Sequence, residues 1–491
     1  MKILFVISKI FFSEPLGVMQ LSAICKKNGH TTRLVSLLDH SLIDVLNEYK
    51  PTLICYNTMS PDEELFAKAD KIIKKWIESQ DAVIFRVMGG AHPTYFPEVV
   101  DQLKLDAICQ GDGDNAIVEI INRVQAGLSL EGIPNILTSR NSDLLKEVIS
   151  DLDSLPPVDR DILYDASPDL QSVGIRSFVT RRGCPYKCTY CFNHLFNALF
   201  KGERRQLIRR RSVDNLLADI VNVVNKYPKV KIIRFADDVF VIKQKNDEWL
   251  KEFSEKYPRL VGIPFYCLMR ANSLSAENAK LLSDAGCRSV SMSIESGSEE
   301  IRNIVLKRRM PNKMLRDAFD LAKDNNINVS ANSMLGLPGT TIDDDFDTFI
   351  FAKKLKIASP TFGIFQPFPK TELTQYAIDN GYLDKQYRSQ NTFGMRSVLN
   401  NYTDEEREIQ YRLSKLASLF CLLPDSFIPV LRYLISIKGF NKLYELIDSI
   451  TFTYLQASRV FPNSYPRNPI VFIKNAYTAI TYTLFSTKKI K

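Results

Sequence analysis

Three cysteines within eight residues form the strongest chemical signal in this chain of 491 residues. They lie in Thr180-Arg-Arg-Gly-Cys184-Pro-Tyr-Lys-Cys188-Thr-Tyr-Cys191-Phe-Asn, spaced C-x3-C-x2-C, just after a predicted strand. Clustered thiolates suit iron–sulfur clusters or zinc. A structural zinc site closes with a fourth cysteine or histidine nearby. His194, three residues after Cys191, is the candidate for that position. The other six cysteines (Cys25, Cys55, Cys109, Cys267, Cys287 and Cys421) stand singly in apolar segments, where a small buried hydrophobe is the default reading. A four-iron cluster held by three thiolates, with one iron open, fits the count better than zinc. An open iron can bind a substrate or cofactor; a closed structural site cannot.

The loop needs rigid elements to position it, and the surrounding pattern supplies them. Strands are predicted at 177–181, 231–236, 264–269, 289–294, 328–334 and 361–366. Helices are predicted between them near 212–226, 246–257, 275–285, 312–325 and 342–356. Six such units suggest a parallel (β/α) barrel or an open part of one, with chemistry at the carboxyl ends of the strands. A second alternating block precedes it. Its strands are predicted at 3–7, 32–37, 52–56, 82–88 and 106–109, and its helices at 16–27, 42–48, 61–79 and 97–103. Nearly continuous apolar strands argue for a doubly wound parallel sheet covered on both faces. Glycines follow three of these strands: Gly17, the pair Gly89-Gly90, and Gly111 with Gly113. Proline-rich residues 151–169 read as an extended linker. From about Asp404 the pattern is helical. The expected organisation is therefore an α/β chain with a Rossmann-like domain at 1–150, a linker at 151–175, a partial TIM-type barrel at 176–400 and a helical domain at 401–491.

Composition sets the outer limits. The chain is 45% hydrophobic and 24% charged, which excludes disordered, collagenous and fibrous classes. Nine cysteines are too sparse for a disulfide-stapled secreted scaffold. No apolar run reaches 18 residues and no basic-then-apolar leader opens the chain, so a cytoplasmic protein is expected. The net charge of +8 is too small for this length to announce a nucleic-acid binder.

At the cysteine triplet, and over residues 176 to about 375, the chain resembles the radical S-adenosylmethionine superfamily. Later segments share the resemblance in order: Phe235-Ala-Asp237-Asp238 after the second strand, Arg270 at the third, Ile294-Glu295-Ser296-Gly297 at the fourth and Leu335-Gly336-Leu337-Pro338-Gly339 after the fifth. The resemblance implies a [4Fe–4S] cluster on Cys184, Cys188 and Cys191. It implies S-adenosylmethionine bound near Tyr190, Asp238, Arg270, Glu295, Ser296, Gly336 and Pro338, and reductive cleavage of that sulfonium to a 5′-deoxyadenosyl radical. An external reductant such as flavodoxin or ferredoxin is expected with it. One departure is Phe368-Pro369-Lys370-Thr371, where the family often has Pro-Gly-Thr; lysine replaces a glycine expected to permit close backbone approach.

The amino-terminal segments Ser13-Glu14-Pro15-Leu16-Gly17, Gly89-Gly90-Ala91-His92-Pro93-Thr94 and Gly111-Asp112-Gly113-Asp114 resemble the cobalamin-binding domain fused to one class of these enzymes. That implies cobalamin at Glu14, Leu16, Gly17, Gly89, Gly90, His92, Gly111 and Gly113, with cluster and corrin facing one cavity between the first two domains. The Asp-x-His-x-x-Gly motif that supplies an axial histidine elsewhere is missing; the only histidines are His30, His40, His92 and His194. The resemblance therefore implies cobalamin without that lower ligand, and His92 as a pocket-lining or structural residue. The implied outcome is methylation of a poorly activated carbon or phosphorus on a small, apolar substrate. A radical cyclisation with the same cofactors, or a non-catalytic cluster or cobalamin sensor, is the alternative.

Two features remain. Lys201-Gly-Glu-Arg204-Arg205-Gln-Leu-Ile-Arg209-Arg210-Arg211 carries six basic residues in eleven. It would suit phosphate or a tRNA substrate, but tRNA methylthiotransferases usually carry a further cysteine triplet and a small β domain that this sequence lacks. A solvated face is the plainer reading, and nucleic acid is not expected. The last 91 residues hold 15 of the 51 aromatics and 12 Lys/Arg against 7 Asp/Glu. Segments 427–438 and 470–484 therefore read as a helical cap on the barrel, or as a peripheral membrane contact.

Overall fold

A computed structural model of the protein describes residues 1–10, 14–200, 207–243, 247–387, 395–462 and 464. The described chain divides into two compact units. Unit 1 comprises Met1–Ser172 with the described residues of 196–211, and unit 2 comprises Val173–Leu195 with the described residues from 212 to 464. Ser13, Lys201–Gln206 and residues 470–484 fall outside the described residues.

Unit 1 is built on a six-stranded sheet: β1 (Lys2–Ile7), β2 (Thr31–Ser36), β3 (Leu53–Asn57), β4 (Phe85–Gly89), β5 (Ala107–Cys109) and β6 (Ile136–Leu137). Their spatial order is β2-β1-β3-β4-β5-β6. All pairs are parallel, as Ile3↔Leu53 and Val87↔Ala107 illustrate, except the last, where Ile108 faces Leu137 antiparallel. Residues Ile3–Ile7 are all buried because helices cover both faces. The five parallel strands fall where apolar runs predicted them. The two-residue β6 is too short to leave a pattern. Residues 151–172 are not extended throughout: they form a helix at Asp161–Ala166 and short turns on either side. Polar side chains tie this strap to unit 1, with Gln20 Nε2 donating to Pro156 O (2.8 Å) and Ser22 Oγ to Asp159 Oδ2 (2.6 Å).

Unit 2 carries a second six-stranded sheet: β7 (Ile175–Phe178), β8 (Ile232–Phe235), β9 (Phe265–Leu268), β10 (Cys287–Ser291), β11 (Asn328–Leu335) and β12 (Ser359–Ile364). The strands lie side by side in chain order, all parallel. β7 and β12 are the two edges and do not pair, so the sheet is an open partial barrel. The intervening helices run Val213–Lys226, Glu248–Leu260, Ala276–Asp284, Asn312–Asp324 and Ile342–Lys354, within a few residues of the periodicity. Four more follow, at Glu372–Asp379, Asp404–Leu422, Ile428–Ser436 and Asn441–Leu455. The Asp404–Leu422 helix packs on β12 and on the Ile342–Lys354 helix.

The segment Gln456–Phe461 then returns beneath the amino ends of the strands. Ser289 Oγ donates to Val460 O (2.8 Å), Asn328 Nδ2 to Arg459 O (2.8 Å) and Arg459 Nη1 to Ala358 O (3.1 Å). Val460 and Phe461 pack with Ile175 and Ile232 in a small apolar cluster. This end of the sheet is thus closed by packing, and the carboxyl ends carry the loops with polar chemistry.

Candidate active site

The cysteine loop leaves the carboxyl end of β7. Its first turn is fixed by Asp237, whose carboxylate accepts from Thr180 N (2.7 Å), Thr180 Oγ1 (2.6 Å) and Arg181 N (3.0 Å). Asp237 is buried, whereas its neighbour Asp238 is exposed and acts electrostatically on Cys184 and Cys191. The acidic pair therefore divides its work: one member builds the loop and the other faces the thiols. Burial pushes the thiols of Cys184 and Cys191 up to about 11. Metal binding must strip those protons, so uptake is coupled to proton release.

Among the described residues, no trio of His, Cys, Asp or Glu is gathered tightly enough to hold a single ion. Thiolates on separate irons of a cube need not converge on one point, so this spacing is compatible with a cluster. His194 does not complete a tetrahedron in this arrangement: its Nδ1 lies 3.2 Å from Cys188 O and 3.1 Å from Cys191 O, and as a donor it ties the loop to itself.

A charged network supports the loop. Arg270 Nη1 donates to Cys188 Sγ (2.9 Å), Arg270 Nη2 donates to Arg308 O (2.6 Å), and the guanidinium lies 3.9 Å from the centre of the Tyr186 ring. Arg308 Nη1 reaches both Tyr190 OH (2.5 Å) and Glu295 Oε1 (2.6 Å), and Nη2 donates to Ser293 O (2.8 Å). Tyr190 OH also donates to Glu295 Oε1 (2.9 Å). Burial works against the charge on Arg308, but Tyr190, Glu295 and Cys188 hold its pKa above the usual range. Burial, and then the Glu295 charge, raises Tyr190 well above a normal phenol despite Arg308. The site thus contains a locked cation and a carboxylate, both buried, and a half-buried phenol that stays protonated, beside the thiols.

The strand-end turns are held from behind. Glu295 adopts a positive φ of 65°, and its carbonyl accepts from Met334 N (2.7 Å). Arg302, wholly buried, donates to Ser296 O (2.6 Å), and Ser296 Oγ accepts from Ser298 N (3.2 Å). A Cβ on Gly297 would meet Thr348 Cα at 2.6 Å, so only glycine lets this turn sit on the Ile342–Lys354 helix. At the next strand, Gly336 N donates to Asp345 Oδ1 (2.8 Å), and Gln410 Nε2 donates to Asp345 Oδ2 (2.8 Å). Tyr402 OH donates to Leu337 O (2.8 Å), next to the buried Pro338. Lys370 takes φ 70°, so the loop keeps the left-handed turn that glycine would favour while presenting an exposed ammonium chain.

The residues left unsatisfied fit a bound polar cofactor. Arg181 Nε and Nη1 and Ser333 Oγ are buried without a hydrogen-bond partner. Burial draws the Arg181 guanidinium below its usual range, opposed by Asp237 and other anions. Such orphaned donors ordinarily cost one to a few kcal/mol each and imply a partner that completes them.

In unit 1 the glycines gather at the carboxyl edge of the sheet. Gly90 has φ 98°, and a Cβ there would meet Thr58 O at 2.7 Å; Gly89 ends β4. Gly111 has φ 89°, and a Cβ there would meet Phe200 Cζ at 2.5 Å, beneath the stacked Phe196–Phe200 pair. Thr94 joins the two turns by donating from Oγ1 to Gly90 O (2.8 Å) and accepting from Gly111 N (3.2 Å). Gly113 precedes the Asp114–Ala126 helix. Gly17 lies within the Leu16–Lys27 helix, and a Cβ there would meet nothing within 4 Å. Thr58, whose backbone abuts Gly90, has a buried Oγ1 without a hydrogen-bond partner.

The polar residues singled out here serve the fold as well. Glu14 Oε1 accepts from Arg160 Nη1 (2.5 Å) and Tyr164 OH (3.1 Å) in the strap. His92 is buried, with Nδ1 3.3 Å from Ser60 Oγ and its ring stacked on Phe96. From the basic run, Arg209 is buried and holds Asp112 of the Gly-Asp-Gly turn and Ile149 O (3.0 Å). It is not part of a solvated face. Sequence reasoning passed over Arg308, quoted Thr94 only as part of a segment and read Arg209 as solvated. Arg308 lies in Lys307-Arg308-Arg309, a triplet whose ordinary reading is solvent.

Comparison with known proteins agrees with this geometry. Residues 178–351 match the Radical SAM superfamily, so the chain carries a domain of that kind around the cysteine loop. The domain implies a [4Fe–4S] cluster and S-adenosylmethionine. Over 430 residues the chain is 27% identical to a protein of Pyrococcus horikoshii named as an uncharacterized methyltransferase, covering 84% of this chain and 89% of that one. Its fold is similar to that of the radical S-adenosylmethionine methyltransferase TsrM from Kitasatospora setae, solved with cobalamin and a [4Fe–4S] cluster (TM-score 0.65, 15% identity, 97% of this chain and 99% of that one). It is also similar to OxsB, a cobalamin-dependent S-adenosylmethionine radical enzyme solved with aqua-cobalamin (TM-score 0.67, 15% identity, 99% and 80%).

Proposed function

We propose that the protein is a cobalamin-dependent radical S-adenosylmethionine methyltransferase acting on a poorly activated carbon or phosphorus of a small, apolar biosynthetic substrate. The observation that carries the reading is the Tyr190–Glu295–Arg308 network locked through Arg270 onto the cysteine loop. A full-length likeness in fold to cobalamin-holding enzymes supports the second cofactor. In this reading residues 1–150 hold cobalamin, 151–175 link, 176–400 form the radical core and 401–491 a helical domain.

When bound, the cluster and S-adenosylmethionine supply a radical initiator and cobalamin a transferable methyl group. Cys184, Cys188 and Cys191 bind the cluster as thiolates. Arg270 orients Cys188 and places positive charge beside its sulfur. Glu295 offers a fixed carboxylate for an ammonium group, and Tyr190 a protonated aromatic edge. Ser296, Gly336 and Pro338 shape the turns around S-adenosylmethionine, and Asp238 faces the same loop from solvent. In unit 1, Leu16, Gly17, Gly89, Gly90, Gly111 and Gly113 leave the sheet edge bare enough for a large flat cofactor. Glu14 and His92 belong to the same edge and are tied to the scaffold through Arg160, Tyr164 and Ser60. A reductant such as flavodoxin or ferredoxin supplies the electron.

The test is anaerobic reconstitution with iron, sulfide and cobalamin, followed by reduction with S-adenosylmethionine and candidate substrates. The expected result is 5′-deoxyadenosine together with a product heavier by one methyl. Turnover to 5′-deoxyadenosine with a cyclised, unmethylated product would replace the reading with a cyclase. Absence of 5′-deoxyadenosine from cluster-replete protein would overturn it.

A further inference from the structure

The helical hairpin after the barrel has two apolar faces. One packs inward through Leu431, Ile435, Tyr444 and Leu455. Among the described residues nothing covers the other: nine of their nineteen exposed large apolar side chains fall within residues 427–454. On the Asn441–Leu455 helix, Leu443, Leu446, Ile450 and Tyr454 are spaced by three, four and four residues, so they form one stripe. That stripe is about 17 Å long at 1.5 Å per residue. Tyr433 on the preceding helix and Phe440 at the turn are likewise at least half exposed. A surface helix with one partner normally turns polar on its far side, and this one does not.

The charges divide in the same direction. Within residues 428–458 the exposed charged residues are Arg432, Lys438 and Lys442, all cations. The two acids, Glu445 and Asp448, turn inward to Tyr411 OH and to Lys415 Nζ (3.2 Å). An apolar and aromatic stripe with Arg432, Lys438 and Lys442 beside it, Lys438 lying 3.9 Å from exposed Glu405, is complementary to an anionic lipid surface. Apolar side chains enter the acyl boundary, tyrosines sit at headgroup level and lysines meet phosphate.

We infer that this face docks the protein peripherally on anionic membranes, with the Asn441–Leu455 helix lying in the interface. No helix among the described residues is long and apolar enough to cross a bilayer, so the contact is with a surface. The inference is independent of the proposed reaction, because its readout is lipid binding.

Sedimentation of the full chain with vesicles tests it. One set is phosphatidylcholine alone and the other is phosphatidylcholine mixed with phosphatidylglycerol. The protein should pellet with the anionic set, and the bound fraction should fall as salt rises. Leu446→Glu with Ile450→Glu should abolish binding. Both positions are exposed, so the thermal unfolding curve should stay unchanged. Lys438→Gln and Lys442→Gln should each weaken binding roughly fivefold. Three outcomes would overturn the inference: no pelleting of the wild type, binding indifferent to lipid charge, or a double variant that binds like wild type. A wild-type dimer that the double variant dissociates, with no vesicle binding, would assign the face to a second copy of this chain and overturn it too.

Discussion

The two sheets place their sequence-marked residues at strand ends, yet they use polar groups in opposite ways. In unit 2 the charges go to the site: Arg270, Arg308, Glu295 and Tyr190 are buried or half-buried, interlocked and directed at the cysteine loop. In unit 1 they go to the scaffold. Glu14 is held by Arg160, Asp112 by Arg209 and His92 against Ser60, leaving an edge marked by glycine. One site is built by fixing charge and the other by removing side chains. Preorganised charge suits a reactive sulfonium, and bare backbone suits a broad ligand held by shape. Substitutions in unit 2 should therefore act through electrostatics, and those in unit 1 through volume.

The sharpest break comes at the cysteines. Cys188→Ala should eliminate the brown absorption of the reconstituted cluster and all cleavage of S-adenosylmethionine, read by optical spectra and 5′-deoxyadenosine. Next is Arg308→Met, which strands the buried Glu295 carboxylate and should cost about 3–5 kcal/mol in denaturant unfolding of unit 2. Adding Glu295→Gln should recover part of that loss, and a strictly additive double variant would contradict the coupling. In unit 1, Gly111→Ala forces a Cβ against Phe200 at a positive φ and should cost about 2–4 kcal/mol. Cobalamin uptake should fall while cluster content stays at the wild-type level; equal loss of both would erase the contrast between units.

A smaller effect concerns the turn behind Gly336. Burial pushes Asp345 up to about 7, with Asp344 adding to the shift against the hydrogen bonds from Gly336 and Gln410. A carboxyl raised in the folded state binds more protons than the unfolded chain between pH 4 and 7. Its stabilising contribution is therefore present at the acid end and lost as pH rises toward 7. Asp345→Asn should flatten that part of the stability profile, measured by thermal unfolding against pH. The smallest effect is expected at His92: His92→Gln should leave the optical and paramagnetic spectra of bound cobalamin unchanged. A changed axial signature would make His92 a ligand and unit 1 a charge-built site after all.

Much of this was legible beforehand, for reasons that also explain the gaps. Parallel strands buried on both faces leave apolar runs, so β1, β2 and β3 and the barrel strands fell within a few residues of expectation. The C-x3-C-x2-C spacing is local, and its chemistry follows from three thiols on one loop. Arg308 gave no such signal, because its partners Tyr190 and Glu295 lie 118 and 13 residues away. Arg209 and Asp112 are 97 residues apart, so a basic run read as solvated contains a buried anchor.

The amino-acid sequence alone determined the kinds of element, their order and the triplet that marks the chemistry, since each depends on neighbours a few residues apart. Tertiary structure alone decided which member of Asp237-Asp238 builds the loop, which arginine holds Cys188 and which helix face stays uncovered. Those outcomes rest on desolvation and on partners brought together across long stretches of chain. No local pattern encodes which charge will be buried until the elements have packed.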